Sequence, residues 1–180
     1  MKVIETKRLT LIGCDKQILE AAIEGNGQLG KLLVVTVPDH WTEFGIGAFQ
    51  YSLKQLESNQ EDDGWLTYFP IHKQQNILIG SGGYKGRPSA DGTVEIGYEI
   101  AIAYRNNGFA TEMTKALVAH AFEDEKVVTV IAHTLAEYNA SCKVLSKCGF
   151  ANVQQLSDPD DGLIWKWELN RIDWQQMEMI

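Results

Sequence analysis

The sequence lacks several features that would point to particular classes of protein. It has no run of about 18 consecutive apolar residues, so no segment is long enough to span a membrane as a helix. Its first residues carry charges and no apolar stretch of the kind found in secretory signals, so we expect a cytoplasmic protein without membrane partners. Basic residues are scarce: 16 Lys and Arg stand against 24 Asp and Glu. The resulting net charge of -8 disfavours non-specific nucleic-acid binding.

Cysteine and histidine are also too few and too scattered to indicate the common sites built from them. Cys14, Cys142 and Cys148 show no CxxC spacing, and we expect them to be reduced and buried. The four histidines show no ligand spacing, which predicts that the protein has no metal site. Neither a Walker motif nor a GxGxxG motif is present, which excludes the two most familiar nucleotide-binding loops.

What the chain does contain is the length and composition of one folded domain. With 44% hydrophobic and 22% charged residues, we expect residues 1–180 to form a single domain. The spacing of apolar residues predicts strands at 6–14, 65–71, 76–84, 93–103, 127–132, 151–156 and 163–169, and helices at 15–25, 42–59, 110–122 and 141–148. This order predicts a mixed α/β fold, with a mostly antiparallel central sheet, one parallel strand pair and flanking helices.

Residues 93–122 show the clearest pattern, a strand that passes through a short loop into a helix. The strand alternates between an apolar set and a set of carboxylates and small residues. The apolar set is Val94, Ile96, Tyr98, Ile100 and Ile102, and the other set is Glu95, Gly97, Glu99, Ala101 and Ala103. From Ala110 onward, apolar residues recur at helical spacing.

The loop between this strand and this helix has the composition of an anion site. The first turn of a helix has about four backbone N–H groups without partners inside the helix, at the positive end of the helix dipole. Gly108 and Ala110 are small enough for a ligand to approach the backbone closely. The pattern therefore predicts a phosphate site, with a plain strand-to-helix turn as the alternative.

Four short motifs occur along the chain in a characteristic order and spacing. They are Glu5-Thr6-x-Arg8-Leu9, Glu95-Ile96-Gly97-Tyr98, Arg105-x-x-Gly108-x-Ala110 and Ser141-x-x-Val144-Leu145-x-Lys147-x-Gly149-Phe150. The third resembles the pyrophosphate loop of the GNAT superfamily of acetyl-CoA-dependent N-acetyltransferases. Together the four resemble the ribosomal-protein alanine acetyltransferase, or Rim-type, branch of that superfamily, over roughly residues 5–169.

The resemblance implies a splayed pair of parallel strands that receives the pantetheine arm of acetyl-CoA. These strands are expected to end at Ala103 and Ala132, with the arm between them. The arm is expected to pair with strand backbone at Ile100, Ala101 and Ile102. Acetyl-CoA is then a co-substrate, and the family chemistry implies no metal.

The resemblance also implies cofactor contacts from the loop and from the second helix motif. The loop amides expected to hold the pyrophosphate belong to Arg105, Asn106, Asn107, Gly108, Phe109, Ala110 and Thr111. In the helix motif, Asn139 and Ser141 are the predicted cofactor ligands. Related proteins often carry Asn at the position of Tyr138, and one residue rotates a helix by about 100°, so which of residues 138 and 139 faces the cofactor stays open.

Related enzymes transfer the acetyl group by direct attack of an amine on the thioester, which makes a cysteine nucleophile unnecessary. Glu95 and Glu99 share one face of the predicted strand, and Glu95 is the predicted base, with Glu99 as the alternative. A structural ion pair with a nearby lysine is the alternative role for either carboxylate. Ser141 is predicted to protonate or hydrogen-bond the departing thiolate, or else to cap or pack its helix, and Tyr138 is a second candidate acid.

The predicted function is acetyl transfer from acetyl-CoA to a primary amine, either a protein N-terminus or a small molecule. A catalytically silent acyl-CoA-binding module and a purely structural domain are the alternatives, and we expect a monomer or a homodimer. Residues 27–44 and 157–162 are predicted to face the acceptor. The second segment contains Asp158, Asp160 and Asp161, which favour a cationic acceptor, or else form a solvated turn.

Overall fold

The computed structural model describes residues 2–179, and one nine-stranded sheet runs through this part of the chain. Its strands are β1 (Val3–Glu5), β2 (Leu9–Gly13), β3 (Thr67–His72), β4 (Ile77–Leu78), β5 (Gly80–Tyr84), β6 (Thr93–Ile100), β7 (Thr129–Leu135), β8 (Ala151–Asp158) and β9 (Gly162–Asn170). The order across the sheet is β1-β2-β3-β5-β6-β7-β9-β8, with β4 paired to β3. The helices are α1 (Lys16–Glu24), α2 (Asn26–Leu33), α3 (Gly47–Ser58), α4 (Phe109–Glu123), α5 (Ala140–Lys147) and α6 (Arg171–Glu178).

The central feature of the sheet is a parallel pair that separates partway along its length. Strands β6 and β7 pair from Thr93 with Thr129 to Glu95 with Ile131 and no further. Beyond that point β6 stays bonded to β5, and β7 stays bonded to β9. The other strand pairs are antiparallel. This confirms the predicted mixed sheet, and the separated ends of β6 and β7 leave a gap in it.

The predicted ends of these two strands were wrong. Strand β6 ends at Ile100, because the chain after Ala101 turns into a 3₁₀ turn at Ile102–Tyr104. Ile102 is therefore 66% exposed and does not continue the apolar face. Strand β7 continues past Ala132 to Leu135, because β9 pairs with it over its whole length.

The core lies on both faces of the sheet, because successive strand residues point to opposite sides. Tyr68 belongs to one buried cluster, which includes Met113 and Leu117 of α4, whereas its neighbour Phe69 belongs to a second cluster beneath α1 and α3. In the second cluster, the ring of Phe69 packs edge-on against Phe49 at 5.3 Å. Across the described chain, no helix combines the length and the apolar character needed to cross a membrane.

Three helical regions differ from the prediction. Gly25 ends α1 as expected, but α2 begins at once with Asn26, where no helix was predicted. Helix α3 begins at Gly47 and not at residue 42, so Phe44 is 66% exposed and does not pack inward. Helix α6 was not predicted; the side chain of Asn170 caps it by accepting a hydrogen bond from the backbone N–H of Asp173 at 2.9 Å.

Candidate active site

The predicted anion loop lies at the N-terminus of α4, beside the gap between β6 and β7. Gly108 adopts the left-handed conformation with φ of 80°, which a glycine adopts without strain. Asn106 has φ of 62°, a conformation that asparagine tolerates better than most residues do. Residues 105–108 are exposed, and Gly108 gives α4 no side-chain cap. The first-turn N–H groups therefore have the character of an anion site.

The opening strand motif supports this loop from a distant part of the sequence. The backbone N–H of Arg8 donates to Oε1 of Glu112 at 2.7 Å, and its Nε donates to Oε2 at 2.6 Å. The hydroxyl of Thr6 also donates to Glu112, at 2.6 Å. The Nη1 of Arg8 donates to the carbonyl of Asn107 at 2.8 Å, and its guanidinium lies 4.3 Å from the centre of the Phe109 ring. Arg8 thus ties the loop to the sheet.

The side chain of Arg105 is engaged within the protein. Its Nε donates to the carbonyl of Ile100 at 2.8 Å, and its guanidinium pairs with the carboxylate of Glu43. Asn107 also bonds inward, through its side-chain amide, to the carbonyls of Tyr104 and Arg105. The backbone N–H of Arg105 also bonds within the chain, to the carbonyl of Ile102 at 3.2 Å, so this predicted amide is not available to an anion. The loop amides left for an anion are those after Arg105.

Backbone groups of β6 face the gap where the arm of a cofactor is expected. The carbonyl of Glu95 and the amide of Ala101 are both bonded to residues that flank β5. Because bonding direction alternates along an antiparallel strand, the backbone groups of Tyr98 and Ile100 face β7 instead. Of the three predicted backbone contacts, only the N–H of Ile100 faces the gap without a partner in the described chain, because its carbonyl accepts from Nε of Arg105. The amide of Ala101 is bonded to the carbonyl of Ile79, and Ile102 has left the strand. The backbone of Tyr98 also faces the gap; the prediction did not include it, although strand alternation could have indicated it.

The predicted base, Glu95, belongs to a cluster of charged side chains that bridges the separating strands. Its Oε1 accepts a hydrogen bond from Nδ1 of His133, on β7, at 2.9 Å. The same oxygen lies 2.5 Å from Nζ of Lys85. The side chains of Glu95 and His133 are each 21% exposed. A side-chain carbon at Gly97 would have no neighbour within 4 Å, so open space lies next to this cluster.

The alternative base, Glu99, is buried and surrounded by donors. The hydroxyls of Thr42 and Ser81 donate to its Oε1 at 2.5 and 2.7 Å. The backbone N–H groups of Glu43 and Phe44 donate to its Oε2 at 2.7 and 3.2 Å. Four donors account for the accepting capacity of the carboxylate, so Glu99 anchors the segment before α3. This anchoring also explains why helix α3 begins later than predicted.

Helix α5 brings the remaining predicted residues to the other side of the gap. Asn139 caps the helix, because its side-chain oxygen accepts from the backbone N–H of Cys142 at 3.1 Å. The carbonyl of Ser141 accepts from the hydroxyl of Tyr98, on β6, at 3.4 Å. Tyr138 is 87% exposed, and its ring packs edge-on against Trp165 at 5.1 Å.

The cysteines are buried and unpaired, as expected. Burial raises the pKa of the Cys148 thiol to about 11. Burial, together with the nearby charge of Asp15, raises the pKa of the Cys14 thiol well above its ordinary value. The Sγ of Cys142 contacts the carbonyl of Glu137 at 3.4 Å. Because the thiolate is the nucleophilic form, burial of this kind is typical of packing residues.

The acidic turn between β8 and β9 has a local structural role. The backbone N–H groups of Asp160 and Asp161 donate to Oδ1 of Asp158 at 2.9 and 3.0 Å. These two bonds hold the pKa of the Asp158 carboxyl below its ordinary value, and the Asp160 and Asp161 side chains stay exposed. No group of three or more His, Cys, Asp or Glu within residues 2–179 is arranged to hold a metal.

Comparison with known proteins identifies a family and relatives that this chain resembles. The acetyltransferase (GNAT) domain family matches residues 31–151, which is more than half of the chain. The Bacillus subtilis (strain 168) protein YjdG, an uncharacterised N-acetyltransferase, is 28% identical over 151 residues. These cover 83% of this chain and 90% of YjdG.

Solved structures share the same fold at lower identity. RimL, a ribosomal L7/L12 alpha-N-protein acetyltransferase in complex with coenzyme A, is 15% identical with a TM-score of 0.68, covering 94% of this chain and 98% of RimL. The ribosomal-protein-S5-alanine acetyltransferase from Vibrio fischeri is 14% identical with a TM-score of 0.69, covering 97% and 99%. A spermidine/spermine N-acetyltransferase, SpeG from Vibrio cholerae, is 15% identical with a TM-score of 0.68, covering 96% and 99%. The match to the family over residues 31–151 identifies the chain as a member of the GNAT family of acetyltransferases.

Proposed function

We propose that this GNAT acetyltransferase moves the acetyl group of acetyl-CoA to the primary amine of a cationic acceptor. The observation that carries the proposal is the position of the predicted anion loop, residues 105–111. It lies at the N-terminus of α4 and next to the gap between β6 and β7. A phosphate on the loop amides leaves the arm of the cofactor free to enter the gap. The charged cluster around Glu95 then lies beside the acetyl group.

The loop fits the phosphates of coenzyme A. Gly108 has no side chain, and a side-chain carbon there would approach Nη2 of Arg8 to 3.4 Å, so its absence leaves the backbone accessible beside a guanidinium. The N–H groups at the start of α4 supply hydrogen bonds and the positive end of the helix dipole. We propose that the amides from Asn106 to Thr111 hold the pyrophosphate, since the amide of Arg105 is bonded to the carbonyl of Ile102.

The gap supplies the remaining proposed cofactor contacts. The backbone of Ile100 faces it from β6, and Asn139 and Ser141 approach it from α5. Bound acetyl-CoA supplies an activated thioester whose acetyl group is transferred. The Ser141 hydroxyl is the proposed donor to the departing thiolate, and Tyr138 remains the second candidate, at a more exposed position.

We propose direct attack by the amine, without an acetylated enzyme. The burial of Cys14, Cys142 and Cys148 supports this route, because a thiol nucleophile needs to be ionised and accessible. An α-amino group ordinarily titrates near pH 8, so it loses its proton with modest help at neutral pH. The cluster around Glu95 borders the open space over Gly97 and is the proposed proton acceptor.

The proposed acceptor is cationic, and both a protein N-terminus and a polyamine satisfy that description. The net charge of -8 and the exposed carboxylates of Asp160 and Asp161 support a cationic ligand. The motifs at residues 5–9, 95–98 and 141–150 support the Rim-type branch, whose substrates are protein N-termini. We also propose that residues 1–180 act as one acetyltransferase domain, since a single sheet joins the first and last strands of the described chain.

Coenzyme A binding by Gly108→Glu tests the proposed phosphate site. We expect the affinity measured by calorimetry to fall by at least about 100-fold, because the new carboxylate repels phosphate and fills the approach to the loop. Gly47→Glu is the matched control: it adds the same charge at an exposed helix start where a side chain meets nothing within 4 Å. A folded Gly108→Glu protein with the parent affinity would refute the site.

A further inference from the structure

The pair formed by Glu95 and His133 spans the point at which the sheet separates. Glu95 is the last residue of β6 that pairs with β7, and His133 lies two residues beyond its partner Ile131. Residues two apart on a strand point to the same face, so His133 lies on the face that carries Glu95 and Gly97. Its Nδ1 is bonded to Glu95, and its Nε2 makes no hydrogen bond to any residue from 2 to 179.

The two side chains of the pair differ in how well they match an amine as proton acceptors. Oε1 of Glu95 contacts His133 at 2.9 Å and Lys85 at 2.5 Å. Within residues 2–179, each side chain keeps one acceptor atom without a hydrogen bond, Oε2 of Glu95 and Nε2 of His133. An imidazole changes its protonation near neutral pH, whereas a carboxylate does so several pH units lower, so the imidazole is better matched to an amine.

We propose that His133 is the general base of the acetyl transfer and that Glu95 is its positioning residue. The inference rests on the proposed function. Because Nδ1–H donates to Glu95, the lone pair lies on Nε2 and is directed away from the carboxylate. The amine nitrogen bonds to the acetyl carbon, the carbon–sulfur bond breaks, and the thiolate leaves with coenzyme A. The proton of the amine passes to Nε2 of His133, and Glu95 stabilises the imidazolium that results.

Several other charged side chains lie near His133. Lys166 is its pairing partner on β9, and Nζ of Lys166 lies 2.6 Å from Oε1 of Glu168. Asp158, at the end of β8, is close enough to interact with both His133 and Lys85 through space. A general base acts only in its unprotonated form, so activity is expected to fall on the acid side of the pH–rate profile.

His133→Asn tests this assignment, because its side-chain amide can still donate to Glu95 but cannot accept a proton. We expect kcat/KM for the amine to fall about 10²–10⁴-fold and to lose its acid-side dependence on pH. Coenzyme A affinity is expected to match that of the parent. His120→Asn is the control, because His120 also bonds a glutamate through Nδ1, with Glu123 at 3.2 Å, on the far end of α4.

A second variant keeps the test decisive if His133→Asn folds poorly. His133→Ala opens space at the same position, and added imidazole is expected to restore part of its turnover, an effect that a purely structural role does not produce. Parent-like kcat/KM and pH dependence in His133→Asn, or no response of His133→Ala to imidazole, would overturn the assignment. A parent protein that releases no thiol with any amine would refute the proposed function itself, and the inference with it.

Discussion

The two carboxylates on β6 illustrate how much a single position depends on its surroundings. Glu95 and Glu99 have the same side chain and lie on the same face of the strand, four residues apart. Glu95 borders open space and contacts His133 and Lys85, whereas Glu99 is buried among four donors. We therefore assign proton transfer to the surroundings of Glu95 and an anchoring role to Glu99.

Glu99→Gln is expected to lower stability without altering the pH dependence of catalysis. The new amide nitrogen faces donors and leaves some of them unsatisfied, which costs about 2–3 kcal/mol of unfolding free energy. Urea unfolding measures the loss. Glu57→Gln, at an exposed position on α3 that pairs with Lys16, is the control and is expected to change stability by less than about 1 kcal/mol. Equal stabilities for the two variants would contradict the anchoring role.

Strand alternation was enough to place both carboxylates on one face, but not to distinguish them. Three of the four donors to Glu99 come from Thr42, Glu43 and Phe44, more than 50 residues earlier in the chain. His133, which bonds to the carboxylate of Glu95, lies on β7, the strand that follows α4. Such contacts depend on how strands are ordered in the sheet, and local periodicity contains no information about them.

At the scale of elements, the segment between β1 and β2 is bonded to the first turn of α4 through Glu112. Partial burial opposes ionisation of Glu112, but hydrogen bonds from Thr6 and Arg8 outweigh it and hold the pKa of the carboxyl below its ordinary value. A carboxyl whose pKa is lowered by folding stabilises the protein at any pH above its unfolded pKa. That stabilisation is lost as the pH falls through the lower, folded pKa.

Glu112→Gln should therefore reduce stability in a pH-dependent manner. We expect a loss of about 1–3 kcal/mol at pH 7, because charged hydrogen bonds to Arg8 and Thr6 are weakened. The difference in unfolding free energy between variant and parent should shrink below about pH 4, because the carboxyl of Glu112 in the parent then becomes protonated and loses its charge. Urea unfolding of the variant and the parent, from pH 7 to below about pH 4, measures this difference. Glu125→Gln, at an exposed position, is the control. A difference that stays constant with pH would contradict the linkage.

The elements that were predicted and those that were missed differ in how strongly their apolar pattern is expressed. Helix α4 buries seven residues, so its spacing was visible in the sequence. Helix α2 buries Leu29 alone and contains two glycines, and α6 buries no residue in its described part. Contacts with other elements stabilise these two helices. In α6, for example, the ring of Trp174 lies against that of Phe122, with ring centres 5.0 Å apart. Helices held by so few contacts leave no clear periodicity.

At the scale of the whole molecule, the sheet order brings four separate motifs to one region. Residues 5–9 support the loop, residues 95–98 form one wall of the gap, and α5 forms another. The resemblance to known motifs predicted that these four segments contribute to one cofactor site. Only the three-dimensional arrangement shows that Nε2 of His133 has no partner within residues 2–179 and that Arg8 bonds to the carbonyl of Asn107 in the loop.

The most direct test of the account is a single-turnover reaction of the protein with acetyl-CoA and, in turn, peptides, polyamines and amino sugars. Thiol release is measured during the reaction, and mass spectrometry then measures the acetylated acceptor and the protein. We predict that thiol appears only when a cationic amine is present, in an amount equal to the acetylated acceptor. The protein itself is predicted to keep its mass throughout, because its cysteines are buried and take no part. Binding of acetyl-CoA without thiol release for any amine, or an acetyl group trapped on a cysteine before transfer, would contradict direct acetyl transfer.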